Sequence, residues 1–300
     1  MDGEPVSRKI AVAGSFVLDE VAMGRSRRQV LGGIAYNIRG LLGVDPDWEV
    51  IPVARVDEQA RAMLREEFGE ESRVNLRNLV ASDGPCHRNR ITLDGLARRE
   101  EFSPGESGLC FGDFRGMGDV DGLIINMITP WDMDLPTARS LSAAQRCPIH
   151  LDVHSLVRTV SADGRWLTTT RPDTYGWTSV PDSVQMNAEE ATAFTGFPVK
   201  DPEDARRLAM LVVLSGPGSC VITLGPGGAA CAWLSGNRVE ADLFSPGVKL
   251  SLDPPGAGDV FSSWFLWGMM EGKNPLRVAR AAVEGATQFV KEMEVCNGNE

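Results

Sequence analysis

The chain has 300 residues, enough for one large α/β domain or two small ones. Apolar residues make up 43% and charged residues 24%, so a sizeable core can be buried, and a net charge of −11 argues against holding nucleic acid or an anionic membrane through the overall field. No apolar run approaches the roughly 20 residues of a membrane span, the first residues lack the apolar core of a secretory signal, and the six cysteines are scattered without a C-x-x-C, so reduced thiols and a cytoplasmic setting are expected.

In chain order, "KIAVAGSF" (9–16) reads as a short buried strand. "GGIAYNIRGLLGVD" (32–45) reads as a helix opened by Gly32 and Gly33, with Ile34, Ile38, Leu41 and Leu42 at helical spacing and Gly43 as its C-terminal cap. "WEVIPVARV" is a strand, and Asp57 then caps the helix "EQARAMLREEF". "RNRITLDGLARREEF" (88–102) is too polar for a core and reads as a hairpin about Asp94-Gly95. Strand and helix alternate thereafter: "DGLIINMI", "DLPTARSLSAA", "PIHLDVH", and then "VQMN" leading into the helix "AEEATAFTG", which Gly196 ends. The helix "DPEDARRLAMLVVL" has Asp201 as N-cap and Pro202 at its first position. "SCVITLG" is a strand, "AACAWLS" and "RVEADLF" an antiparallel pair, and two helices over about 259–271 and 275–291 close the chain. The alternation implies a mostly parallel sheet covered on both faces, in one domain with a small polar β-flap.

Four stretches carry chemistry-bearing residues. In "DPPGAGDVF" (253–261), Gly256, Ala257 and Gly258 precede a helix whose unpaired N–H groups and positive end can cradle an anion. Asp259 beside such a cradle can take a proton from a substrate hydroxyl, or it can simply cap the helix. In "GGIAYN", the glycine pair lets a ligand approach the backbone and Asn37 offers a donor and an acceptor; a helix start with a solvated Asn fits equally. In "NAEE", Asn187 and Glu190 are spaced as a capping box, or Glu190 holds a water-coordinated Mg²⁺ near phosphates. In "TLGPGG", Thr223, Gly225, Gly227 and Gly228 form a hairpin turn or a phosphate-binding loop. There is no Walker A, no complete dinucleotide fingerprint, no H-E-x-x-H and no G-x-S-x-G.

Each signal alone is weak, but their order resembles that of the ribokinase-like (PfkB) sugar and nucleoside kinases, over about residues 8–290, and "DPPGAGDVF" is similar to that family's D-T-x-G-A-G-D-x-F signature. The resemblance implies a ribokinase-like three-layer α/β sandwich with a mostly parallel central sheet and a small β-lid, at about 19–31 and 86–103. It implies an ATP- and Mg²⁺-dependent kinase that phosphorylates a hydroxymethyl group of a sugar or nucleoside. Asp259 would be the base, and Gly256, Ala257 and Gly258 the anion hole. Asn187, Thr223, Gly225 and Gly228 would lie along ATP, with Glu190 near Mg²⁺. Asp19, Gly32, Gly33, Asn37 and Asp253 would face the acceptor. A homodimer through the lid is one arrangement the resemblance allows. Phosphoryl transfer suits such a spread of residues, since it needs positioning, charge neutralisation and one base rather than a covalent nucleophile.

The sequence also departs from the family pattern. Pro254 stands where the signature has Thr, Ile128 where ribokinases carry an acid, and His154 where many members have Asn. With Pro254 and a short segment after "FVKEMEV", no potassium site is expected. Arg25, Arg27, Arg28, Arg88 and Arg90 on the lid segments motivate a second reading as a phosphosugar kinase. Pro254-Pro255 motivates a third, a non-catalytic kinase-derived binding protein, against which the retained Asp259 and Gly-Ala-Gly speak.

Overall fold

A computed structural model describes residues 8–23, 26–45, 47–94, 97–106, 108–250 and 254–298. β1 (Arg8–Ala13) is followed by a hairpin of β2 (Phe16–Met23) and β3 (Ser26–Gly33), then α1 (Ala35–Val44), β4 (Trp48–Val53), the short β5 (Arg55–Val56) and α2 (Glu58–Phe68). After β6 (Val80–Ala81), a second hairpin joins β7 (His87–Asp94) to β8 (Ala97–Ser103). β9 (Gly122–Asn126), α3 (Leu135–Ala144) and β10 (Ile149–Asp152) lead to a small ribbon of β11 (Arg158–Val160) and β12 (Trp166–Thr168). The rest is α4 (Thr174–Trp177), β13 (Ser183–Asn187), α5 (Ala188–Thr195), α6 (Pro202–Leu214), β14 (Ser219–Thr223), β15 (Ala229–Ser235), β16 (Arg238–Phe244), α7 (Ala257–Met270) and α8 (Pro275–Gly298).

Eight strands form the central sheet in the order β16-β15-β14-β13-β10-β9-β1-β4, parallel except where β15 turns back on β14 and β16 on β15. Alternation along each strand feeds two layers. Ala11 and Ala13 of β1 and Cys220 and Ile222 of β14 pack with α3, α5 and α6, whereas Ile10 and Val12 pack with α1 and α2, and Val221 with α7 and α8. This is the ribokinase-like α/β sandwich. The second sheet, β3-β2-β7-β8, stands apart from the first and is built from the two hairpins. Among the described residues no helix is long and apolar enough to cross a membrane.

Most predicted elements are present, and several caps are as read. Asp57 accepts from Ala60 N at 2.7 Å, Asp201 accepts from Asp204 N at 2.8 Å, and Gly196 closes α5 with φ 79°. Two expectations fail around α1. Gly32 and Gly33 do not open a helix; they end β3, and α1 starts only at Ala35, because Gly33 sits at φ +63°, outside helical geometry. Gly43 lies inside α1, which ends instead at the extended Asp45. The span before residue 32 forms a full hairpin of β2 and β3, which the local pattern of "FVLDEVAM" does not announce because it lacks clean alternation. The β11–β12 ribbon was likewise not foreseen. The predicted hairpin at 88–102 is β7–β8, with Gly95 of its turn outside the described residues.

Candidate active site

The parallel strands end on one side of the sheet in polar residues: Asn126 closes β9, Asp152 β10, Asn187 β13 and Thr223 β14. Open α/β sheets bind ligands outside these carboxyl ends, and here a cavity of about 830 Å³ lies there, roofed by the second sheet and floored by the start of α7. The "DPPGAGD" stretch shapes that floor. Gly256 occupies the N-cap position in a left-handed conformation, φ +96°, and a Cβ on it would fall 2.3 Å from Cδ1 of Tyr36. Only glycine fits both the conformation and the contact. Ala257, Gly258 and Asp259 are then the first three helical residues, whose N–H groups lack partners within the helix. Asp259 is therefore not the cap; it is the third helical residue, 6% exposed, with its side chain at the cavity wall.

Buried polar groups hold this floor from behind. Asn126 Nδ2 donates to Asp259 Oδ1 at 2.6 Å and to Asn37 Oδ1 at 2.8 Å, while Asn37 Nδ2 donates to the Asp259 carbonyl at 2.9 Å. On the other flank, Gln185 Nε2 and Ser262 Oγ both donate to Asp152 Oδ2, at 3.0 and 2.9 Å, and both reach the Gly258 carbonyl. Burial, with Glu190 and Asp259 as negative neighbours, pushes the Asp152 carboxyl well above the usual range. Burial likewise pushes Glu190 up to about 7, against the pull of Arg158, whose Nη2 is 3.6 Å away. The site is thus an acidic floor in which added negative charge is disfavoured unless a cation or a hydrogen-bond donor comes with it.

Among the sequence candidates, Asp19, Gly33, Asn187, Glu190, Thr223, Gly225, Gly228 and Gly256 to Asp259 all line this one cavity. Gly32 does not; it backs Asp19, whose Oδ2 would meet a Cβ there at 1.9 Å. Asn37 does not line it either. It is 0% exposed, and its amide is spent on Asn126 and the Asp259 backbone, so it positions α7 rather than facing an acceptor. Asp253 lies outside the described residues. Asn187 and Glu190 form the complete capping box: Asn187 Oδ1 accepts from Glu190 N, and Glu190 accepts from Asn187 N and Nδ2, each at 2.8 Å. Of the lid arginines, Arg27 pairs with Glu20, Arg88 with Gln59 and Arg90 with Glu20 and Glu101; neither these nor the exposed Arg28 line the cavity, and Arg25 is outside the described residues.

Sequence reading missed Asn126, Asp152 and Gln185, although a polar residue closing an apolar strand ("GLIIN", "IHLD") was a usable signal. It flagged His154 only as a departure. That residue has φ 38°, the single positive φ outside glycine among the described residues, and it lines the cavity. Also missed were the apolar wall of Pro246, Leu250, Val283, Ala286 and Val290, and Trp166 from the ribbon.

The strand ends of a ribokinase-like fold thus surround a glycine-bounded acid. The chain belongs to the pfkB family of carbohydrate kinases, whose model matches residues 141–300, and it is a phosphotransferase with an alcohol group as acceptor. No curated protein matches the sequence. Several solved structures share the fold. A pyrophosphate-dependent kinase of the ribokinase family, complexed with a pyrophosphate analogue and myo-inositol, is 15% identical with a TM-score of 0.72 and 93% of each chain covered. Arabidopsis thaliana ribokinase, complexed with ribose and ATP, is 17% identical with a TM-score of 0.71, covering 95% of this chain and 93% of the other. Adenosine kinase from Sinorhizobium meliloti is 15% identical with a TM-score of 0.71, covering 94% and 93%.

Proposed function

We propose that the protein transfers the γ-phosphoryl group of ATP to a hydroxymethyl group of a sugar or nucleoside, with Asp259 as base. The observation that carries this reading is the buried Asp259 carboxylate at the cavity wall, beside the first N–H groups of α7 and held by Asn126 at 2.6 Å. The acceptor oxygen bonds to the γ-phosphorus as the bond from that phosphorus to the β,γ-bridging oxygen breaks. The hydroxyl proton passes to Asp259, and ADP leaves with the electron pair. The N–H groups at Gly256 to Gly258 meet the charge on the transferring group, already oriented before it develops. Asp19 and Gly33 lie on the acceptor side, and the second sheet acts as the lid, over segments of about 19–31 and 86–103 of one kinase domain spanning 1–300. Two copies pairing through the lid is compatible with this reading.

The donor reading rests on the far end of the cavity. Thr223, Gly225 and Gly228 supply a glycine turn, and next to it Val283, Ala286 and Val290, one face of α8, stand with Pro246 and Leu250 as an apolar wall. Such a wall suits a purine ring and offers nothing to pyrophosphate. Mg²⁺ fits as a companion of the donor phosphates: among the described residues no three acids, histidines or cysteines form a metal cage, and both Glu190 oxygens already serve the capping box. Bound there, the ion would neutralise phosphate charge, with Glu190 and Asn187 reaching it through water. The non-catalytic alternative is disfavoured by the intact Asp259 setting, and the phosphosugar alternative by the arginines that turn away from the cavity. The test is donor-dependent turnover on a panel of acceptors. ADP release with ATP, and no orthophosphate release with pyrophosphate, is expected; turnover with pyrophosphate alone would overturn the donor assignment, and silence with every donor and acceptor the kinase reading.

A further inference from the structure

A second hollow, of about 550 Å³, lies at the edge of the central sheet and shares no lining residue with the active-site cavity. Residues 73–75 run along the edge strand β4 there: Arg73 O accepts from Val50 N at 2.7 Å, and Val50 O accepts from Asn75 N at 2.9 Å. The hollow is walled by α2 and by residues 72–79 and reaches Glu49, near the start of β4. Its size is that of a small-molecule site.

Local structure brings three arginines to it. Arg61 and Arg65 are one turn apart on α2 and so share a face. Asn75 Oδ1 accepts from Arg77 N at 3.1 Å and opens the 3₁₀ turn Leu76–Asn78, which carries Arg77 to the same hollow. Among the described residues none of the three forms an ion pair. Arg61 Nη2 reaches only the Leu79 carbonyl, at 3.4 Å, and the exposed Arg65 and Arg77 side chains have no hydrogen-bonded partner. Three nearby acids serve other groups: Glu71 pairs with Arg73, Glu67 with Arg39, and Glu49, the one carboxylate lining the hollow, accepts from Asn75 Nδ2 at 2.7 Å. At the remaining three- and four-residue spacings along α2, Arg65 finds only Ala62, Phe68 and Gly69. Like charges one turn apart destabilise a helix, and an anion shared between them removes that cost.

The chemistry of the lining narrows the ligand. Val74, Leu76 and Leu79 supply its apolar surface and no aromatic ring lines it, so a nucleobase has nothing to stack on. A carboxylate presents two oxygens and matches one guanidinium fork, whereas a terminal phosphate presents three and can engage forks from both walls. We infer that this hollow is a second ligand site, separate from phosphoryl transfer, which takes the phosphate or pyrophosphate group of a small aliphatic anion through Arg61, Arg65 and Arg77, with the Ser72 hydroxyl as a further donor. Free pyrophosphate and an aliphatic phosphate ester share this chemistry.

The full chain is titrated calorimetrically at physiological ionic strength with orthophosphate, pyrophosphate, glycerol phosphate and citrate, and separately with ATP. The parent protein is compared with an Arg65→Gln, Arg77→Gln double variant and with an Arg206→Gln, Arg207→Gln double variant on α6, which loses the same charge elsewhere. At least one phosphate probe should bind. Its Kd should rise at least about tenfold in the Arg65, Arg77 variant and stay at the parent value in the α6 variant, with melting temperature and ATP affinity unchanged in both. Whether pyrophosphate or glycerol phosphate binds more tightly distinguishes the two sources. Crystals soaked in tungstate should show the anion between α2 and residues 72–79. Silence of every phosphate probe, an unchanged Kd in the folded Arg65, Arg77 variant, an equal loss in the α6 variant, or citrate as the tightest ligand overturns the inference. None of these readouts uses turnover, so the kinase reading stands or falls independently of them.

Discussion

Replacing Asp259 by Asn separates a base from a structural acid. The substitution keeps side-chain size, and an amide oxygen turned toward Asn126 keeps the 2.6 Å hydrogen bond. The lost negative charge at the third position of α7 costs about 0.3–1 kcal/mol through the helix dipole. Against this, the Asp259 charge is one of the causes that push Asp152 and Glu190 upward, so its removal relieves two buried neighbours. The two effects oppose, and stability should change by no more than about 1 kcal/mol, roughly 2–4 °C in melting temperature for a chain of this class. The chemical step loses its proton acceptor, which typically costs about 10²–10⁴ in rate, or roughly 3–5 kcal/mol of barrier. The assay measures ADP release at saturating acceptor, ATP binding by calorimetry and thermal melting on one preparation. Turnover should collapse while ATP binding and melting stay near those of the parent protein. Near-normal turnover would refute the reasoning, because the floor of the cavity would then be architecture only.

Two other outcomes follow from the packing. Gly256→Ala forces a Cβ to 2.3 Å from the Tyr36 ring at φ +96°, so the ring or the start of α7 must move; a loss of about 1–3 kcal/mol is expected, partly recovered in a Gly256→Ala, Tyr36→Ala double variant, and denaturant melts that show no loss would contradict the built geometry. Burial, against the opposing pull of a Gln185 side-chain hydrogen bond, pushes His150 down to about 4 from 6.5. The unfolded chain therefore takes up a proton that the folded chain does not as pH falls from about 6.5 to 4, so this group removes stability over that window, on the order of 3 kcal/mol. His150→Leu should flatten that part of the stability–pH curve, and an unaltered slope would show that His150 is not held neutral.

The class of fold and the glycine-bounded acid at the start of α7 were legible in the chain by itself. Strand and helix periodicities are local properties, so the alternation from residue 121 onward, the caps at Asp57 and Asp201 and the Asn187–Glu190 box could be read from spacing. The glycine-bounded Asp259 could be read for the same reason, since a turn and the first helical residues are contiguous. What the tertiary structure alone decided is who stands beside whom. Asn126 is 133 residues from Asp259 in sequence and 2.6 Å from it in space, and no local pattern encodes that bond. Asn37 looked like a ligand contact because it is polar near a glycine pair; packing instead spends its amide on the backbone of α7. Trp166 sat in a segment with no clear period, and one backbone hydrogen bond between Phe102 and Gly164 brings it to the cavity. Local sequence sets which groups exist and how each turn of chain is shaped. The burial of two faces of one sheet is a cooperative, long-range choice, and it is that choice which brings residues from separate strand ends into a single site.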